Sequence, residues 1–87
     1  MFAKNWEKIL AKDGYIKVHK QHDGAGVHYP PHTHETKTAH VIIEGEMTLI
    51  SDAKSEVYHP GDRIDVPAST FHEATMGPAG CVYLVGE

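Results

Sequence analysis

YPPHTH, running from Tyr29 to His34, is the stretch on which the reading of this 87-residue chain turns. Along an extended strand residues i and i+2 share a face, so His32 and His34 can present two imidazoles to one cation. A helix needs a partner three or four positions on, and Lys37 and Thr38 stand there instead. Pro30 and Pro31 also forbid a helix at this point. A third histidine, His72, closes the segment GDRIDVPASTFH that begins at Gly61. The pattern points to a β-structure that binds a metal.

Outward from that stretch, the chain reads as short β-prone runs broken by turn residues. Candidate strands are YIKVHK from Tyr15, AHVIIE from Ala39, EMTLIS from Glu46, SEVYH from Ser55, RIDV from Arg63, HEAT from His72 and CVYLV from Cys81. The breaks fall at Asp23-Gly24, Pro30-Pro31, Glu44-Gly45, Asp52-Ala53, Pro60-Gly61, Pro67-Ala68 and Gly77-Pro78. Such spacing is what an antiparallel sandwich or barrel produces. Met47 and Leu49 alternate with Thr48 and Ile50, which fits a strand with only one face buried.

Before the first strand, Phe2, Trp6, Ile9 and Leu10 recur at helical spacing, and Asp13-Gly14 supplies a stop. This predicts one short amphipathic helix within residues 1–13, followed by a β-barrel over residues 15–87, the whole forming one domain. A helix of this length is marginal alone. Its apolar stripe is expected to cover an open end of the barrel or a dimer seam.

Twelve Asp and Glu against eight Lys and Arg give a formal charge of −4 with no basic run, which disfavours nucleic acid. No apolar stretch approaches the roughly 20 residues of a membrane span, so no membrane association is expected. The single cysteine, Cys81, rules out an internal disulfide and fits a reducing, cytoplasmic home. A domain this small gains stability from a metal or a partner, which makes a homodimer the expected assembly.

Two motifs carry a resemblance to the cupin superfamily. The first family motif is Gly, five residues, His-x-His, three or four residues, Glu, six residues, Gly; Gly26, His32, His34 and Gly45 match it, while Thr38 stands where the Glu is expected. The second is Gly, five residues, Pro-x-Gly, two residues, His, three residues, Asn; Gly61, Pro67 and His72 match, with Ser69 in place of Gly and Met76 in place of Asn. Together they cover about residues 26 to 76. The resemblance implies an all-β fold, a small jelly-roll barrel, in which His32, His34 and His72 converge on a metal. It further implies that Gly45 and Gly61 turn the chain between strands and that Pro67 shapes the loop delivering His72.

In the family the Glu follows a tight hairpin, which here would run through Glu35, Thr36 and Lys37. If 34 faces 38 across that turn, then 32 faces 40, and His40 stands beside the metal. His40 is therefore read as a fourth ligand, an acid or base, or a wall of the pocket. Glu35 is a rival carboxylate on the opposite strand face, and Thr38 a polar wall. Of the other histidines, His22 and His59 lie beside turns and are expected in solvent, His28 is expected near the cavity mouth, and the facing of His19 is open.

A neutral histidine set suits zinc, iron, nickel or copper. Without the Glu, the cation's charge is uncompensated and a small anionic or chelating molecule is the expected ligand. The resemblance implies metal-dependent chemistry such as that of a dioxygenase, lyase or isomerase. The alternative is a non-catalytic module that binds or senses a small molecule or metal.

Overall fold

Two strands of this chain are long enough to run through both halves of one bent six-stranded sheet, and the placement of the histidines follows from how they bend. The computed structural model describes residues 4–51 and 53–87. In chain order these are α1 (Trp6–Lys12), β1 (Val18–Asp23), β2 (His28–His32), β3 (Thr38–Ser51), β4 (Lys54–Tyr58), β5 (Arg63–Val66) and β6 (His72–Gly86). Every ladder is antiparallel. The first half of β3 lies between β5 and the last part of β6, with β1 on the far side of β6. Its second half lies between β4 and the first part of β6, with β2 beyond.

Both long strands were expected as two shorter ones, broken at Glu44-Gly45 and Gly77-Pro78. Instead the chain continues through each break and folds there. The β3–β6 register slips between Ile42 and Glu44 and again between Gly45 and Met47, which are bulges that let a strand change direction. Gly45 (φ +76°) and Gly80 (φ +77°) face each other at this corner. A Cβ on Gly45 would run into the Gly80 carbonyl, and one on Gly80 would lie 2.6 Å from the carbonyl oxygen of Asp23. Three backbones crowd together where only glycine fits. Gly45 is thus a bend within a strand, not a turn between strands; Gly61 (φ +93°) does sit in the β4–β5 connection, as expected.

The bend brings both halves around one core. Ile42, Met47, Leu49, Ile64, Val66, Ala74, Met76, Cys81 and Tyr83 are buried against one another. They alternate with outward residues, so the period-2 pattern holds on either side of each bulge. Two shorter strands differ from expectation. β1 begins at Val18 rather than Tyr15 and continues to Asp23. β2 forms in spite of Pro30 and Pro31, because it borders only β6 and proline is tolerated at a sheet edge; its register shifts between Tyr29 and His32.

Helix α1 is capped by Asn5, whose side chain accepts from the Lys8 amide at 3.2 Å, and it ends at Asp13 before Gly14 (φ +99°). Its stripe does not cover a barrel end. Trp6 and the fully buried Leu10 pack with Tyr15 on Ala39, Val41, Val18 and Leu84, side chains that point away from the barrel core. Phe2, expected in the same stripe, lies outside the described residues. Arg63 fixes the helix end to the sheet, donating to Asp13 at 2.7 Å and to Asp65 at 2.8 and 3.0 Å, while the Tyr15 hydroxyl donates to Asp65 at 2.8 Å. Among the described residues, no helix is long and apolar enough to cross a membrane.

Candidate metal centre

His32 is the last residue of β2 and His72 the first of β6, and the ladder sets them opposite each other. His34 follows in the loop, where its carbonyl accepts from the Ser69 amide at 2.8 Å. That bond ties the loop that carries His34 to the loop that leads into His72. Ser69 has φ +59°, so the position where the family motif has Gly keeps the left-handed backbone although its residue has changed. Ring centroids of His32, His34 and His72 lie 4.3 to 5.3 Å apart, and one nitrogen of each comes within 4.8 Å of the other two. The grouping predicted from the sequence is thus formed.

Burial is graded across the three, with His72 buried, His32 half-buried and His34 exposed. Two of the rings are locked in the same way. His32 Nδ1 lies 2.7 Å from the Pro30 carbonyl and His72 Nδ1 lies 3.1 Å from that of Thr70. A carbonyl only accepts, so each Nδ1 carries the proton and each Nε2 keeps its lone pair free. Burial pulls the His72 pKa below the ordinary imidazole value, the Thr70 carbonyl pulls it back, and His32 and His34 lower it further. Its neutral, coordinating form is favoured.

The triad opens on a cavity of about 240 Å³ whose apolar wall includes Met47, Leu49, Ala74 and Met76. Thr38 and His40 also line it from β3. The hairpin expected to place them does not form: β2 pairs with β6, whereas Thr38 pairs with Val66, and His40 with Ile64 and Val85. His40 reaches the cavity because i and i+2 of β3 share its inner face. It is not among the nitrogens clustered within 4.8 Å. Burial, then the nearby His72, His34 and His32, lower its pKa from 6.5 to about 4.

Glu35 is exposed and outside the cluster. His59 lies on the surface near Glu46 and Asp62, and His22 is exposed, as expected. His28 does not reach the cavity mouth; it binds Thr75 Oγ1 at 2.7 Å and approaches Glu73 at 3.4 Å. His19 does line the cavity, together with Gln21. The signal was the alternation His19, Gln21, Asp23, unreadable without knowing which face turns inward. Behind the wall, buried Asp23 accepts from the hydroxyls of Tyr29 at 2.9 Å and Tyr83 at 2.6 Å, joining β1, β2 and β6.

This donor set fits a divalent transition metal. It offers three imidazoles, two with their lone pairs already freed, beside a wall with two buried polar atoms, Thr38 Oγ1 and His40 Nδ1, that lack any partner.

No family model matches the chain, and no curated protein does either. Solved structures do. An RmlC-like cupin from Shewanella frigidimarina superposes with a TM-score of 0.75 at 24 % identity, over 83 % of this chain and 64 % of that one. A cupin superfamily protein from Desulfitobacterium hafniense gives 0.69 at 16 % identity, over 98 % of this chain and 80 % of that one. A DMSP lyase from Ruegeria pomeroyi gives 0.71 at 23 % identity, over 78 % of this chain and only 35 % of that one. The present chain spans less than two thirds of the Shewanella protein and about a third of the lyase. What is common to all of them is the fold.

Proposed function

We propose that this chain, a cupin by its fold, holds one divalent transition metal on His32, His34 and His72 and binds a small anionic or chelating molecule in the adjoining cavity. The observation that carries the reading is the meeting of three imidazoles from β2, a loop and β6 with two Nε2 lone pairs released by carbonyls. Zinc, iron, nickel and copper all suit such a set. When bound, the cation supplies Lewis acidity and a charge that no carboxylate of the cluster offsets.

The chain's own residues do the rest. Met47, Leu49 and Met76 keep bulk water from the inner wall, and His34, on the exposed side, leaves the approach open. Nucleophilic catalysis through Cys81 is not part of this reading, since burial pushes that thiol up to about 11 and it packs in the core. A metal-dependent lyase, isomerase or dioxygenase and a non-catalytic binding module share the same site. Turnover and oxygen-uptake assays over a panel of small acids separate them.

Elemental analysis of protein purified without added metal tests the site itself. About one metal per chain is expected in the wild type, and loss in both His34→Ala and His72→Ala. A metal-free wild type that also takes up none from solution would end this reading. A homodimer remains our proposed assembly on grounds of size, and light scattering measures it.

A further inference from the structure

We infer that Thr38 and His40 form a hydrogen-bond donor pair for an anionic oxygen of the bound molecule, and that His40 does not serve as a fourth metal ligand. This rests on the metal reading above. Thr38 Oγ1 and His40 Nδ1 are the buried side-chain polar atoms among the described residues that have no partner. They stand two residues apart on β3, on the face that lines the cavity, and Thr38 is only 3 % exposed. Buried polar atoms are satisfied in nearly all folded proteins, so the orphan at Thr38 marks a place prepared for a partner, and the one at His40 settles which ring nitrogen carries its proton.

The protonation of His40 decides what that partner is. A neutral imidazole carries one N–H and one lone pair. At His32 and His72 a carbonyl two residues earlier holds the proton on Nδ1. His40 Nδ1 has no such acceptor. An orphaned N–H is the rarer and costlier defect, so the lone pair stays at the enclosed Nδ1 and the proton at Nε2, the ring nitrogen that is not shut off. To ligate a metal through Nε2, the proton would have to move to Nδ1, where nothing receives it. His40 accordingly presents an N–H to the cavity, and the Thr38 hydroxyl, lacking any internal acceptor, presents an O–H beside it.

Two donors next to a cation recognise a molecule with two anionic oxygens, one for the metal and one for the pair. Small carboxylates and enolates have this chemistry. A cavity of about 240 Å³ has room for a short-chain acid.

Long-range ¹H–¹⁵N spectra of the metal-free protein should show the Nε2–H tautomer at His40 and the Nδ1–H tautomer at His32 and His72. Zinc titrations should give affinities within about threefold of wild type for His40→Phe and Thr38→Val, against outright loss for His34→Ala. Oxalate should bind the zinc-loaded Phe and Val variants about tenfold or more weakly, as for a lost hydrogen bond to a charged group. His40→Gln, which keeps an N–H but is a poor ligand, should retain both zinc and oxalate, and it stands in if the Phe variant does not fold. Loss of zinc in both His40 variants would make His40 a ligand and overturn the inference, as would an Nδ1–H tautomer there or unchanged oxalate affinity. If wild type takes up no zinc, the metal reading fails separately, and the same oxalate titration on the metal-free variants decides the donor pair.

Discussion

His32 and His72 face each other as Cα partners across the β2–β6 ladder, with ring centroids 4.3 Å apart, and each holds its Nδ1 against the carbonyl two residues before it. One local device is used twice, on strands that meet only in the folded chain. Each ring is therefore aimed by its own backbone, and the ladder merely brings the two together.

A metal that binds only the folded chain should stabilise it. At a free zinc concentration a hundredfold above Kd, the gain is about 2.7 kcal/mol. Urea unfolding with zinc and with chelator should differ by this much in the wild type and not at all in His72→Ala. An equal response in both would mean that zinc acts elsewhere.

Acid should weaken the metal-free fold. The His40 pKa is lowered from 6.5 to about 4, so between those values the unfolded chain binds more protons and stability falls as pH falls. The depressed His72 acts in the same direction. The loss from His40 is at most about 3 kcal/mol. Urea unfolding in chelator from pH 7.5 to 4.5 should show the decline, and His40→Phe should flatten it.

Gly45→Ala should disrupt the corner. The added methyl would both meet the Gly80 carbonyl and force a left-handed residue, which alone costs about 1–2 kcal/mol. We expect at least about 3 kcal/mol in total, or failure to fold. Gly61→Ala is the control, having a positive φ but open space around it. Equal losses in the two variants would show that crowding at the corner contributes nothing.

Tyr83→Phe should cost roughly 1.5–3 kcal/mol, because it removes a buried 2.6 Å bond to the Asp23 carboxylate. Asp23 then keeps Tyr29 on Oδ2 and only a distant Gln21 on Oδ1. A change below about 0.5 kcal/mol in urea unfolding would leave the Tyr–Asp–Tyr joint without energetic weight.

Much of this was legible from residue types and spacing, and the convergence of the three histidines from the resemblance of the two motifs. Arg63–Val66 is the strand expected, α1 ends where Asp13-Gly14 stops it, and the three histidines meet. What escaped is instructive. Gly45 reads as a turn signal because glycine marks both turns and bulges, and only the partner strand distinguishes them. The expected 32–40 hairpin failed because pairing is a matter of distant register; β3 takes Val66 and Val85 as neighbours, which no local pattern announces. The helix was expected on an open end of the barrel or a dimer seam, yet outward-facing Ala39 and Val41 are themselves apolar and accept it.

By itself the sequence determined an all-β chain with a His-x-His pair, since alternation and proline positions are local properties; that His72 joins the pair followed from the resemblance of the two motifs, and His34 reaches it from a loop. It also showed the absent carboxylate at Thr38. Tertiary structure alone decided what surrounds that position. The bends at Gly45 and Gly80 and the register of β3 turn Thr38 and His40 inward and enclose Thr38 Oγ1 and His40 Nδ1 without partners, and such enclosure depends on residues far apart in the chain.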